Sequence, residues 1–352
     1  MKVSKLNRRY GWKRQLPDHR DFKYTVPSRI LAALPPSANL ISLCPPVYDQ
    51  SVLGSCTGNA IGGGHQFEQI RQLLPTTGTS DAVVIAAAVA KSFVPSRLFI
   101  YWNERDMEGS TNEDSGAEIR DGIKSVVNVG VCPETLWPYD TSRFKDKPPD
   151  QCYQDALDHQ VVAYYAVTQT LESLKGCLAD GYPFVFGFTV YDAFESKEVA
   201  ATGELNMPQP FESVCGGHAV MAVGYDDATQ RFLVRNSWGE KWGKKGYFTI
   251  PYAYLLDSNL SADFWTIRMV EVSDHPEPEP QPLPPEPSPK PCDWSLLFPA
   301  AKAFTDAAEN HADISKKVGD GIPASIDRIL EAGLRGLQGY LQRVGQVRTR
   351  RR

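Results

Sequence analysis

Two hydrophobic periods divide this chain. Behind Cys56, apolar or small residues recur at helical spacing at Ala60, Gly64, Phe67 and Ile70 or Leu74. Arg97–Arg105 (RLFIYWNER), after Pro95, predicts a second helix, and Gly116–Val129 (GAEIRDGIKSVVNV) a third. Gly130 is placed to stop that third helix, because glycine takes the left-handed turn that closes helices without steric cost. Further on the period shortens. Phe184–Val190, Ala219–Tyr225, Phe232–Arg235, Tyr247–Ile250 and Trp265–Val270 are short, β-branched or aromatic, and bounded by turn residues. They predict an antiparallel sheet. A helical front half and a β-rich back half together predict an α+β body with a cleft between them. The longest apolar run, Ala82–Ala90, is too short to cross a bilayer and is predicted as a buried helix.

Composition then marks the boundaries. Residues 1–34 are polar, basic and spotted with aromatics, and end at Pro35-Pro36. The body is expected over residues 35–273. Residues 274–291 form a Pro/Glu-rich linker whose core, PEPEPQPLPPEPSPKP, favours an extended polyproline II spacer. Residues 292–352 are expected to be a helical extension with a basic end. There Ile326, Leu330, Leu334, Leu337, Leu341 and Val344 form one stripe, interrupted by Gly333, Gly336 and Gly339. Such a stripe needs a docking surface, on the body, on a second copy, or on a membrane or partner.

The chain has 352 residues, 42% hydrophobic and 22% charged, as a soluble globular protein would. A formal net charge of −5 gives no reason to expect nucleic acid as a partner. The basic start, MKVSKLNRRYGWKRQL, has no apolar stretch behind it. No secretory signal peptide is therefore expected, which leaves the cytoplasm or a signal-less export route.

Seven cysteines without CxxC spacing argue against a metal cluster or a dense disulfide framework. His65 with Glu68 lacks a third metal ligand, and no metal or organic cofactor is expected. Cys56 has company that the other thiols lack. It follows Gln50-Ser51-Val52-Leu53-Gly54-Ser55 and opens the first long helix. Cys215-Gly216-Gly217-His218-Ala219-Val220 opens a strand, and Arg235-Asn236-Ser237-Trp238-Gly239 follows later. A thiol becomes a strong nucleophile only when ionised, which a helix N-terminus and a nearby imidazolium favour. Histidine can take that proton and return it to a leaving amine. An Asn amide oxygen can orient the ring. Gln50 and the Cys56 N–H supply oxyanion donors. Trp238 is placed to shield the Asn–His pair, and Gly216 and Gly217 leave room for a substrate backbone.

These islands, with Trp242-Gly243 and Gly246-Tyr247, resemble the papain-like (cathepsin-type) cysteine peptidases over about residues 35–270. The resemblance implies a two-lobed papain-like fold, with a helical left lobe, an antiparallel β right lobe and the active site between them. It implies a thiol protease that hydrolyses peptide bonds through a thioester, with Cys56, His218, Asn236 and Gln50 as catalytic residues. Ser115 and Gly116 align with the wall that pairs with substrate backbone, so Ser115, Gly116, Gly217 and Trp238 are the expected substrate-binding residues. In this family the floor of the side-chain pocket lies in the 255–264 region. Two departures stand out. Leu53 and Thr57 occupy positions where the family has a disulfide cysteine and an aromatic, which suggests a bacterial or archaeal branch that folds without those bridges. Family members are often held inactive by an N-terminal prosegment. Residues 1–34 lack its helical signature, but Tyr10-Gly11-Trp12 and Leu16-Pro17-Asp18 could block the cleft as an extended strand; otherwise the segment is a belt around the body. Two rival functions remain: a silent peptide-binding module, and an amidase, transferase or isopeptidase specialised for one partner.

Overall fold

A helix buried along most of its length lies within the described body. The structure, a computed structural model, describes residues 10–76 and 78–271. The predicted linker, the C-terminal stripe and Cys292 lie outside the described residues. The helices that matter here are α1 (Ser28–Ala32), α2 (Cys56–Gln72), α3 (Ala82–Lys91), α4 (Arg97–Met107), α5 (Ile119–Asn128) and α6 (Asp150–Ala156). The strands are β1 (Trp12–Lys13), β2 (Ser37–Asn39), β3 (Ala117–Glu118), β4 (Val161–Ala166), β5 (Phe184–Tyr191), β6 (Val214–Asp226), β7 (Arg231–Arg235), β8 (Tyr247–Pro251) and β9 (Ser261–Val270).

Helix α2 is buried from Cys56 through Ile70, polar residues included. Glycines let its neighbours approach. A Cβ at Gly58 would fall 2.8 Å from the carbonyl oxygen of Arg97 on α4. Its buried His65 is paired at both nitrogens: Nε2 meets the His159 carbonyl at 3.1 Å, and Nδ1 meets Gln69 Nε2 at 3.0 Å. Helix α4 starts where Ser96 caps it, the hydroxyl accepting from Phe99 N–H. Helix α5 begins only at Ile119, because Ala117 and Glu118 are spent on strand β3.

The apolar run at 82–91 corrects an expectation. It is a helix, capped by Asp81, but only Ile85 and Ala88 are buried and Val83 is 77% exposed. Alanine favours a helix without needing a second packed face. The run therefore says helix and not interior.

Six strands form one antiparallel path in the order β4-β9-β5-β6-β7-β8, with β2 added along β6. Side chains alternate between two cores, as a pleated sheet requires. Phe184, Phe186, Phe188, Val220 and Ala222 enter an aromatic core on one face. Val185, Ala219, Met221 and Val223 face the other way, into the core built by α2, α4 and α5. These two cores are the two lobes of the α+β fold. Packing also starts ahead of residue 35, since Tyr24 and Val26 belong to the aromatic core. Ala166 N–H donates to the Phe22 carbonyl at 2.8 Å, and Tyr24 N–H to the Ala166 carbonyl at 2.9 Å, tying this stretch to β4.

Gly130 has φ +80, and a Cβ there would fall 1.7 Å from the Ala156 carbonyl oxygen on α6. Gly130→Ala is expected to cost about 2–3 kcal/mol through backbone strain and this clash. A urea midpoint lowered with unchanged slope would bear this out, and an unchanged midpoint would contradict it.

Candidate active site

Cys56 is the first residue of α2, so its sulfur sits where the helix N–H groups point outward without helical partners. The residue is fully buried. Burial pushes its thiol up to about 11, against the N–H groups of Ala219, Gly11 and Thr57, which favour the thiolate. Beneath it, Thr57 donates to Glu104, a carboxyl that burial raises far above the carboxylate range. Glu104, as a buried acid beside the sulfur, adds to the upward push on the Cys56 thiol. The Thr57 departure from the family pattern is thus part of a polar shelf, completed by Gly122, where a Cβ would fall 2.5 Å from Glu104 Oε2.

The facing wall is β6. His218 sits opposite Phe188 in the ladder, one residue before Ala219, whose N–H meets the Cys56 thiol. His218 Nε2 lies 2.8 Å from Asn236 Oδ1. Donating from Nε2 puts the accepting lone pair of the neutral ring on Nδ1. Asn236 is itself held, since Oδ1 also accepts from Ser237 N–H at 2.8 Å. Trp238 stacks on the imidazole at 5.1 Å and 29°, and Phe188 and Phe194 close the remaining sides. Gln50 is joined to the same loop: Ser237 Oγ donates to its Oε1 at 2.7 Å, and Gln50 N–H to the Ser237 carbonyl at 2.9 Å. Its Nε2 donates to the Leu53 carbonyl at 3.0 Å. Ser237 thereby couples the oxyanion candidate in one lobe to the ring-orienting Asn236 in the other.

The cleft between these walls is filled by the chain's own residues 10–13. Strand β1 runs parallel to β3, with Trp12 opposite Ala117. Ala117 N–H donates to the Gly11 carbonyl at 2.8 Å. Gly11 lies so close to the nucleophile loop that a Cβ would fall 1.6 Å from the Gly54 carbonyl oxygen. On its other side, a Cβ at Gly116 (φ +69) would fall 2.0 Å from the Gly11 oxygen. Only glycines fit here. Tyr10 packs edge-on against His218 at 5.8 Å, and its hydroxyl donates to Glu195 at 2.7 Å. Lys13 pairs with Glu108 at 2.6 Å. Leu16 is 80% exposed, so the covering is done by Tyr10–Lys13 and not by Leu16-Pro17-Asp18.

The structure thus gathers Cys56, His218, Asn236, Gln50, Gly116, Gly217 and Trp238 around one cleft. Ser115 is the exception. Its hydroxyl turns to Ser110 Oγ at 2.8 Å and to the Gly116 carbonyl. Three residues escaped the sequence reading. Glu104 lies under the nucleophile. Asp114 accepts from Gly54 N–H at 3.0 Å and from the Tyr101 hydroxyl at 2.6 Å, bracing the nucleophile loop. Asp263 accepts from Trp12 Nε1–H at 2.9 Å. The only prior signal was for Asp263, which lies in the stretch expected to hold the pocket floor.

A cysteine at a helix start, facing a His–Asn pair across a cleft between a helical and a β lobe, defines a cysteine hydrolase. Comparison with known proteins narrows the class. Residues 108–259 match the papain family cysteine protease model. An uncharacterized peptidase C1-like protein of Acanthamoeba polyphaga mimivirus is 40% identical over 298 residues, covering 78% of this chain and 90% of that protein. The crystal structure of xylellain, a cysteine protease from Xylella fastidiosa, shares 41% identity with a TM-score of 0.66, over 76% of this chain and 98% of its own. A procathepsin B from Trypanosoma congolense, at 18% identity and a TM-score of 0.58 over 76% of this chain and 89% of its own, shares the fold. This chain belongs to the papain family and is a papain-like cysteine endopeptidase.

Gly11→Ala in the full chain is expected to lift Tyr10–Lys13 out of the cleft, because the added methyl meets a backbone carbonyl that cannot move aside. Loss of burial lowers the thiol from about 11, so iodoacetamide should modify Cys56 faster and at lower pH than in the parent chain. Identical rate-against-pH curves would show that residue 11 does not cover the sulfur.

Proposed function

We propose that this protein is a latent peptidase in which Cys56 is the nucleophile, His218 its base, Asn236 the orienting group and Gln50 an oxyanion donor. The observation that carries the assignment is the 2.8 Å His218–Asn236 contact on β6, directly beside the Ala219 N–H that meets the Cys56 thiol. His218 Nδ1 takes the thiol proton, and the sulfur attacks the scissile carbonyl. The developing oxyanion is held by the Cys56 N–H and the Gln50 amide. His218 returns the proton to the leaving amine, a thioester forms, and water activated by the same ring releases the acid. Gly116, Ala117 and Gly217 line the path of the substrate backbone, and Trp238 keeps water from the His–Asn pair.

The covering segment fits this reading as an inhibitor and not as a substrate. It offers the sulfur an N–H, that of Gly11, while the Gly11 carbonyl is spent on Ala117. The sulfur is thus met by an N–H of the segment. Segment release then sets activity, and the substrate is a peptide or protein that takes the same groove.

In the full-length Gly11→Ala chain, a peptidyl chloromethyl ketone should modify Cys56 alone by mass mapping. Cys56→Ala should abolish both labelling and peptide hydrolysis. His218→Ala should slow turnover by about 10²–10⁴-fold. Labelling at another cysteine, or hydrolysis that survives Cys56→Ala, would refute the assignment.

A further inference from the structure

The carbonyls of Pro45 and Pro46 are held by a buried cation. Proline has no N–H, so this pair has no donor with which to join a strand, and its carbonyls need partners from elsewhere. Arg235, the last residue of β7, meets both: Nη1 donates to the Pro45 carbonyl at 2.6 Å and Nη2 to the Pro46 carbonyl at 2.7 Å. Its side chain reaches them across α2 at Gly63, where a Cβ would stand 3.5 Å from its Nε.

That arrangement is a demanding one. Arg235 is 4% exposed, and a buried guanidinium loses its hydration, for which a carboxylate is the usual compensation. Arg97 shows the usual pattern close by. It lies over the Tyr48 ring at 4.8 Å, pairs with Glu134 at 2.7 Å and donates to the Asp49 carbonyl at 3.2 Å. Arg235 lies over the same ring at 4.9 Å, but among the described residues no carboxylate pairs with it. Two carbonyls and one aromatic face answer its charge. Filling this space alone would need no cation. A planar fork, however, fixes two successive carbonyls at once, which an ammonium cannot do.

The clamped prolines begin the segment that ends at Gln50. Beyond them it runs antiparallel to the loop that follows Arg235, with Asp49 opposite Trp238. Gly239 N–H donates to the Tyr48 carbonyl at 2.9 Å. Ser237 fastens the far end of the segment at Gln50, and Arg235 fastens the near end. Held at both ends, the segment cannot slide along the loop. That matters for Gln50, because an oxyanion donor works only when held within about 0.5 Å of its place.

We propose that Arg235 is a positioning residue for the peptidase reaction, which sets the Gln50 amide against the oxyanion through the Pro45–Gln50 segment without touching substrate. The inference rests on the peptidase reading above. It assigns Arg235 an effect that passes through Gln50 and not through Cys56 or His218.

The test uses the full-length Gly11→Ala chain. Arg235→Lys keeps a buried cation without the fork, and Arg235→Met keeps the length without either. On a fluorogenic peptide, kcat should fall about tenfold with lysine and about a hundredfold with methionine, while KM stays within about twofold. Alkylation of Cys56 by iodoacetamide forms no oxyanion, so its rate-against-pH curve should match that of the Gly11→Ala chain. With Gln50→Ala in place, Arg235→Lys should lower kcat no further, since the donor it places is gone. Unchanged kcat in Arg235→Lys, a shifted alkylation curve, or a loss that adds in full to that of Gln50→Ala would overturn the inference and leave the peptidase reading intact. Should Arg235→Met fail to fold, the lysine series decides alone. A Gly11→Ala chain that cuts no peptide fails the peptidase reading itself, and the inference falls with it.

Discussion

One backbone contact governs the rest of this structure: Gly11 lying between the Gly54 carbonyl and Gly116, directly over the sulfur of Cys56. A thiol at the start of a buried helix is favoured as an anion by its position and disfavoured by its burial. The helix terminus and surrounding N–H groups favour the thiolate, while loss of water disfavours it, and with the cleft closed the second effect wins. Because the contact is backbone to backbone, it has no rotamer that can yield. Opening requires the segment to leave as a unit, with Tyr10 off the imidazole and Lys13 off Glu108.

The rigid frame behind this contact is spread over both lobes. Ser237 holds Gln50 through its hydroxyl and Asn236 through its N–H, so the two lobes are keyed to each other beneath the cleft. Asp114 braces the nucleophile loop from one side, and the Thr57–Glu104 pair supports it from below. The aromatic core behind His218 leaves the ring little freedom. Preorganisation of this kind means that departure of the covering segment would expose a site that is already assembled.

Much of the candidate site was legible in the sequence because the chemistry it would carry is local. A nucleophile needs a helix start, a base needs space, and an orienting amide needs a loop, so each leaves a short island. Residues that act through long-range pairing left no such mark. Glu104 and Asp114 look like ordinary acids of a helix and a loop until α4 and the nucleophile loop are brought together. Ser115 was expected on the substrate wall beside Gly116, and its hydroxyl bonds to Ser110 Oγ and the Gly116 carbonyl. The run at 82–91 has the composition of a buried helix, but composition cannot say whether a second layer covers it. Tyr10-Gly11-Trp12 was readable as a blocking strand. That Gly11 is irreplaceable follows only from the meeting of three chain segments that lie far apart in sequence.

The same long-range geometry explains why Asp263 stayed hidden. Strand alternation puts Val220 and Ala222 of β6 toward the aromatic core and Ala219 and Met221 toward the helical one. A regular β9 would fix residue 263 to whichever face the count dictates. Val185 pairs with Trp265 and Gly187 with Ala262, so β9 carries one residue more than β5 here. The extra residue breaks that count, and the left-handed backbone at Asp263 turns the carboxylate to the Trp12 indole N–H.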